Sequence, residues 1–283
     1  MPTPKRFSRG TQRAVTPAQT LERISQFVEP MGITRVANAT GLDHIGIPVF
    51  VVMRPNARSL STSQGKGLSL TAARTSGLME SIECYHAERI DAPLRLNSYR
   101  ELSLRHRVVD PGALPTIGIS RFTPSTRLLW IEGRELSSDA PTYVPYELVH
   151  CDMTLPLPEG SGCFVLSSNG LASGNTLAEA TSYGLCEVIE RDAWAMWVAG
   201  GETKNHQRRV DLASIDAPLA CQLLDRFEQA EMLVGVWDIT TDIGVPTYAT
   251  LLVDREQGPR VRPRAMGIGC HPSRDIALLR SLT

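Results

Sequence analysis

Apolar and polar positions along the chain divide it into helical, extended and loop-rich stretches. Thr16-Pro17-Ala18-Gln19 opens a helix that runs to about Val28, with Thr as N-cap, Pro at the first helical position and Gln three residues after the cap. Met31 to Ala39 and Ile47 to Arg54 read as strands, the second almost continuously apolar, as a buried sheet position requires. The turn residues Thr40-Gly41-Leu42-Asp43 separate them. Helical periodicity returns from Gly67 to about Ile90 and from about Thr176 to Val198. Between these two helices lies a proline-rich stretch, Asp91 to Gly162, with short strands at Leu128 to Glu132 and Thr142 to Pro145. Residues 213 to 230 read as a further helix, followed by strands at Met232 to Ile239 and Thr247 to Val253 and an amphipathic helix from Ile276 to Thr283. No linker or low-complexity tract divides the chain, so the expected architecture is α/β (α+β), one compact domain of mixed sheet and helices behind an Arg-rich, mobile arm at residues 1–15.

Composition narrows the function classes. With 283 residues, 42% hydrophobic and 21% charged, the chain can bury a substantial core, which excludes disorder. Lys plus Arg total 29 against 30 Asp plus Glu, so no basic excess draws it to nucleic acid or to an anionic membrane. The longest apolar run, Gly46 to Met53, is too short to span a bilayer, and the arm has no apolar signal core. Six cysteines lie singly, with no zinc spacing, and fit reduced thiols of a cytoplasmic protein.

The chemistry sits in an internal repeat. At an offset of 107 residues, Gly67, Leu70, Ala73, Gly77, Leu78, Glu80, Ile82 and Glu83 fall on Gly174, Leu177, Ala180, Gly184, Leu185, Glu187, Ile189 and Glu190. Each copy is expected to follow a Ser-rich loop, and the glycines inside the helices, which cost about 1 kcal/mol each, suggest close packing. Ser76, Glu80 and Glu83 share one stripe of the first helix; Asn175, Glu179 and Glu190 share one of the second, with Glu187 at its margin. An isolated pair of acids on a helix is ordinarily a solvated face. Two copies about a pseudo-dyad would instead aim four or five carboxylates at one cleft, where their repulsion calls for hard cations such as Mg²⁺, and Mg²⁺ commonly arrives with phosphate. The small residues of Ser167 to Asn175 could hold anionic oxygens at a helix start. Arg191 could offset phosphate charge or pair with Glu187 along its helix. Lys66, one of three lysines with Lys5 and Lys204, lies in Ser63-Gln64-Gly65-Lys66-Gly67, which lacks the P-loop spacing but could touch a phosphate or serve a structural role. No nucleophile elbow, zinc-protease motif or dinucleotide loop is present.

The two acidic motifs, in this order and with this loop, resemble those of the YcaO proteins, specifically the type associated with TfuA. Arg35 to Val49 is similar to that subgroup's entry segment, Ser76-xxx-Glu80-xx-Glu83 to the first ATP/Mg²⁺ motif and Ser167 to Asp192 to the second. The resemblance implies a YcaO-like fold with helix repeats around a Mg²⁺/ATP cleft. It implies that Glu80, Glu83, Glu179, Glu187 and Glu190 hold Mg²⁺. Ser76, Asn175 and Arg191 are implied to contact ATP, with Arg9, where the family often has Lys, and Thr16 approaching from the arm. Cys84 stands where a strict ExxER motif has Arg. A partial third copy places Ala277, Ser281 and Leu282 on Ala73, Gly77 and Leu78, and Arg280 matches the Arg that precedes the family's ExxQ motif; the next acid is due one residue past the end, so the chain is expected to continue beyond residue 283. The implied activity is ATP-dependent O-phosphorylation of a backbone amide in a ribosomal peptide or a protein, giving a thioamide with an external sulfur donor or an azoline with a side-chain nucleophile. A TfuA-type partner and a homodimer are expected; nucleic-acid or membrane partners are not. A non-catalytic relative that binds peptide is the competing class, and a carboxylate-metal hydrolase on an unrelated fold is a third.

Overall fold

The computed structural model describes residues 4–255 and 264–283, with residues 202–206 described by their backbone alone. The chain forms two compact units. The first comprises residues up to Met53, Thr62–Ser81 and Asn169–Thr283; the second comprises Arg54–Ser61 and Ile82–Ser168.

The first unit is built on helix α1 (Pro17–Ile24), strands β1 (Arg35–Asn38), β2 (Val49–Met53) and β3 (Thr62–Lys66), and helix α2 (Leu70–Glu88), of which residues 70–81 belong here. The expected capping box of α1 is present: Thr16 Oγ1 accepts from the Gln19 N–H and the Gln19 side chain accepts from the Thr16 N–H. The three strands form an antiparallel meander in the order β1-β2-β3. Past the second unit come helix α4 (Leu177–His206, interrupted at Gly201 with φ 75°), helix α5 (Pro218–Gln229), a second antiparallel meander and helix α6 (Arg274–Leu282). That meander consists of β7 (Met232–Asp238), β8 (Thr247–Asp254) and β9 (Arg264–Cys270). A core of Ala220, Leu223 and Phe227 from α5, Val236 and Tyr248 from the sheet, and Leu278, Leu279 and Leu282 from α6 holds this half together. The second unit packs Leu102, Leu128, Trp130, Tyr143 and Phe164 around the sheet of β4 (Leu94–Ser98), β5 (Arg127–Arg134) and β6 (Pro141–Pro145), with helix α3 (Tyr99–Leu102) capped by Ser98.

The repeat is a packing device. A Cβ added to Gly65 on β3 would lie 2.0 Å from the Gly77 N and 2.1 Å from the Ala73 O on α2, so strand and helix backbones touch there. On β9 a Cβ at Gly269 would lie 2.2 Å from the Ala277 O and 2.6 Å from the Ser281 N on α6. Gly65, Ala73 and Gly77 precede Gly269, Ala277 and Ser281 by one common offset of 204, so the weak third copy is a true equivalent of the first. In the second copy a loop residue replaces the strand: a Cβ at Gly184 would lie 2.6 Å from the carbonyl oxygen of Gly170, itself at φ 84°.

Several elements differ from expectation. The first copy follows strand β3, where a Ser-rich loop was expected, because the inward residues Ser63 and Gly65 are small and buried and leave no hydrophobic period. Strands β4 and β9 were likewise unread, and residues 31–34 turn at Gly32 (φ 74°) before β1 begins. The arm is docked over its described residues: Phe7 and Arg13 exchange backbone hydrogen bonds of 3.1 and 2.9 Å, and Ala14 is buried.

Candidate nucleotide and metal cleft

Four elements of the first unit bring charged side chains together. The end of β3 supplies Lys66, α2 supplies Glu80, α4 supplies Glu187 and Glu190, and α6 supplies Arg280. Lys66 interacts with Arg280, Glu190 and Glu80; Glu80 with Glu187; and Glu190 with Arg280, Arg191 and Glu187. Glu190 is 7% exposed. Its Oε2 accepts from the Cys270 N–H at 3.1 Å, which ties α4 to β9. Burial, reinforced by Glu187, nevertheless holds its carboxyl above the usual range despite Arg280 and Arg191. Glu80 is also raised, first by partial desolvation although its side chain is exposed, against the pull of a Gln64 backbone hydrogen bond and Lys66, with Glu187 adding repulsion. Lys66 is lowered by desolvation and by Arg280. A buried Glu190 with Glu187 and Glu80 near enough to repel in turn suits a hard divalent cation, and Lys66 and Arg280 beside them suit an anion. Among the described residues no three His, Cys, Asp or Glu side chains already converge as a metal cage. The donor chemistry fits Mg²⁺ and phosphate together, with Glu80, Glu187 and Glu190 as the oxygen donors.

The other expected residues lie as follows. Ser76 is exposed one turn before Glu80. Glu83 falls on the part of α2 in the second unit, where burial, Glu88 and Glu83 together raise the Cys151 thiol. Arg191 pairs with Glu187 and Glu190, both at 3.5 Å, so the intrahelical alternative holds in this structure. Glu179 is buried with both oxygens engaged by neighbours: Oε1 by Arg13 at 3.0 Å and Oε2 by the Ala14 N–H at 2.9 Å. These contacts hold its carboxyl below the usual range against the cost of burial and tie it to the arm. Asn175 Oδ1 accepts from Thr20 Oγ1 at 3.3 Å and from Arg23 at 3.4 Å, linking the loop just before α4 to α1. Thr16 is occupied as the α1 cap, and Arg9 is exposed.

Sequence reasoning missed the cations that the arm does deliver. Lys5, Arg13 and Arg280 stand 5.5, 3.7 and 5.2 Å from the Tyr183 ring centroid. Tyr183 Oη also hydrogen-bonds Thr11 Oγ1 at 2.9 Å. Only Arg13 of the three makes an ion pair among the described residues, and Arg280 also acts on Glu190. The spacing of the arm residues carries no helical or strand period, so only the pairing across α4 reveals them. His271, buried next to Tyr183, is pushed down to about 4 by burial and by Arg280, Lys5 and Arg13. It is therefore neutral when folded, whereas the unfolded chain takes up a proton near pH 6.5. Its contribution to stability is complete above that pH and is lost as pH falls toward 4. Chemical denaturation at pH 7 and pH 4.5 should show about 2–3 kcal/mol more loss in the wild type than in His271→Asn. Equal slopes would contradict the burial of a neutral imidazole. On the same side, the Cys186 thiol is brought down to about 7, first by a hydrogen bond with Cys270.

The family profile described as "YcaO cyclodehydratase, ATP- and Mg²⁺-binding" matches residues 64–283. The chain belongs to the YcaO family. Glu80, Glu187, Glu190 and Arg280 all lie inside the matched region. A protein encoded in the tfuA 3′ region of Rhizobium leguminosarum bv. trifolii is 37% identical across 99% of this chain and 68% of its own length. A protein of Methanothermobacter thermautotrophicus is 35% identical across 96% of this chain and 69% of its own. Among solved structures, a heterocyclase in complex with substrate and cofactor superposes with a TM-score of 0.80 at 26% identity, over 99% of this chain and 40% of that one. The YcaO protein of Methanopyrus kandleri bound with AMPPCP and Mg²⁺ shares the fold with a TM-score of 0.71 at 24% identity, over 99% of this chain and 69% of that one. The α/β architecture of small antiparallel sheets and helices is thus the YcaO fold, and ATP and Mg²⁺ are the family's cofactors. No described helix is long and apolar enough to cross a membrane.

Proposed function

We infer that this YcaO chain activates backbone amides of a ribosomally made peptide or of a protein with Mg²⁺-ATP, and that the product is a thioamide. The observation that carries the activation step is the gathering of Glu80, Glu187 and Glu190 with the cations Lys66 and Arg280 from four elements of the first unit. A pure peptide-binding relative has no use for carboxylates kept together at such electrostatic cost. In this reading Glu80, Glu187 and Glu190 hold Mg²⁺, while Lys66, Arg280, Arg191, Ser76 and Asn175 face the nucleotide. Bound Mg²⁺ supplies charge neutralisation between the triphosphate and the incoming amide oxygen. The protein's own task is orientation and charge balance, since phosphoryl transfer needs little covalent chemistry from side chains. Arg280 and Lys66 approach from opposite elements, so they can brace the transferring phosphoryl group as its charge shifts. Glu190, fixed by the Cys270 N–H, keeps its place as that happens.

The thioamide assignment and a TfuA-type partner are supported by the relative encoded in the tfuA 3′ region; the heterocyclase likeness supports azoline formation as the second reading. Mass spectrometry of a modified precursor separates them: about +16 Da for oxygen replaced by sulfur, against about −18 Da for loss of water. With the amide carbonyl labelled by ¹⁸O, both reactions are expected to deliver the label into inorganic phosphate. Unlabelled phosphate alongside modified peptide would contradict amide activation.

A further inference from the structure

Tyr183 lies one turn before Glu187 and two before Glu190 on the same face of α4. It is only 8% exposed, and three cations from two other segments of the first unit gather round its ring. The guanidinium carbons of Arg13 and Arg280 stand 3.7 and 5.2 Å from the ring centroid, and Lys5 Nζ stands 5.5 Å from it. Among the described residues one carboxylate, Glu179, pairs with this group, and it does so through Arg13 at 3.0 Å. Lys5 Nζ donates to the Gln12 carbonyl oxygen at 3.3 Å. Three like charges repel, and one carboxylate does not balance them. The negative π face of Tyr183 is the partner all three share, each within the 6 Å or so over which a ring attracts a cation.

Both ends of the side chain are engaged. Tyr183 Oη pairs with Thr11 Oγ1 at 2.9 Å and donates to the Gln12 carbonyl oxygen at 3.2 Å, within the turn that Phe7 and Arg13 close by exchanging backbone hydrogen bonds. Arg280 reaches the ring from α6 with its stem over Gly269, where an added Cβ would lie 2.7 Å from the Arg280 Cβ. We propose that Tyr183 is a positioning residue whose π face fixes Arg280 of α6 and, through Lys5 and Arg13, ties the arm to α4. A ring without negative charge on its face would leave the three cations to repel one another, so the arm would lift and Arg280 would lose its fixed direction. The hold on the arm stands on these contacts alone; its consequence for nucleotide binding, through Arg280, rests on the Mg²⁺-ATP reading above.

A fluorination series separates this role from simple packing. Position 183 of the 283-residue chain is filled in turn with phenylalanine and with mono-, di- and trifluorinated phenylalanine by amber suppression. Each fluorine withdraws negative charge from the ring face while the shape hardly changes, so the fold is kept and the hydroxyl is absent throughout. Trypsin reads the arm at the Arg13–Ala14 bond, which becomes accessible only when the arm opens locally, since Ala14 is buried. Cleavage there should quicken with each fluorine, by about ten-fold across the series. Equal rates in all four proteins would overturn the proposal. Calorimetric titration of Mg²⁺-ATP reads Arg280, with affinity expected to fall stepwise and to be about ten-fold weaker in the trifluorinated protein than in Tyr183→Phe. An affinity indifferent to fluorination would overturn the hold on Arg280. A chain that binds no nucleotide in any of these forms would contradict the Mg²⁺-ATP reading, while the cleavage series still decides the hold on the arm.

Discussion

Glu190→Gln is expected to weaken Mg²⁺-ATP binding by about 100-fold, close to 3 kcal/mol, with Glu80→Gln similarly affected. The amide retains an oxygen to accept the Cys270 N–H and has nearly the same volume, so the loss reports charge and not packing. Desolvation raises both carboxyls above the usual range in the free protein, and Glu187 repels each. A divalent cation relieves that repulsion, and Lys66 and Arg280 are left to the phosphates. Removing one carboxylate also tips the local balance toward positive charge, so nucleotide without Mg²⁺ should bind the variants no worse than the wild type. Calorimetric titration with and without Mg²⁺ checks both statements. Wild-type heats from both variants in the presence of Mg²⁺ would place the metal elsewhere.

Gly65→Ala is expected to cost about 3 kcal/mol or more, enough to leave much of the first unit unfolded at moderate temperature. The new methyl would stand 2.0 Å from the Gly77 N and 2.1 Å from the Ala73 O, both backbone atoms of α2, so no side chain can swing aside. Strand β3 and α2 must separate, carrying Lys66 away from Glu80. Gly269→Ala meets the same obstacle on α6 at 2.2 Å from the Ala277 O. Gly41→Ala, with nothing within 4 Å of its added Cβ, should change stability by no more than about 0.5 kcal/mol. Thermal unfolding of the three variants decides the matter, and a Gly65→Ala protein as stable as Gly41→Ala would refute the close strand-helix contact.

The contrast between what was legible in the chain and what was not follows from the kind of signal each element leaves. Helices α2 and α4 show because the acids of each copy recur at helical spacing, Glu80 with Glu83 and Glu187 with Glu190, and the capping box at Thr16 and Gln19 is local chemistry. The repeat was readable through its glycines, since a helix tolerates them at a cost only where another backbone must come close. Strands β3 and β9 were hidden by the same device: their inward positions are Ser and Gly, so the alternation of large apolar residues that marks a strand is missing. Glu80, Glu187 and Glu190 were found as a group because they recur within the two copies. Glu179 could be placed on the same stripe, but its partner Arg13 lies 166 residues away on an arm without periodicity, and nothing local reveals that pairing. Lys5 is hidden for the same reason. Arg9 was favoured by family likeness, whereas the arm turns at Gly10 and sets Lys5 and Arg13 over Tyr183.

The account stands most directly on where metal and nucleotide sit. Crystals grown with ATP or its non-hydrolysable analogue and Mn²⁺ in place of Mg²⁺ would report this through anomalous scattering. The expected result is Mn²⁺ peaks bonded to oxygens of Glu80, Glu187 and Glu190, with the phosphates reaching Lys66 and Arg280. Mn²⁺ and nucleotide bound away from α2, α4 and α6, with these carboxylates unliganded, would contradict it.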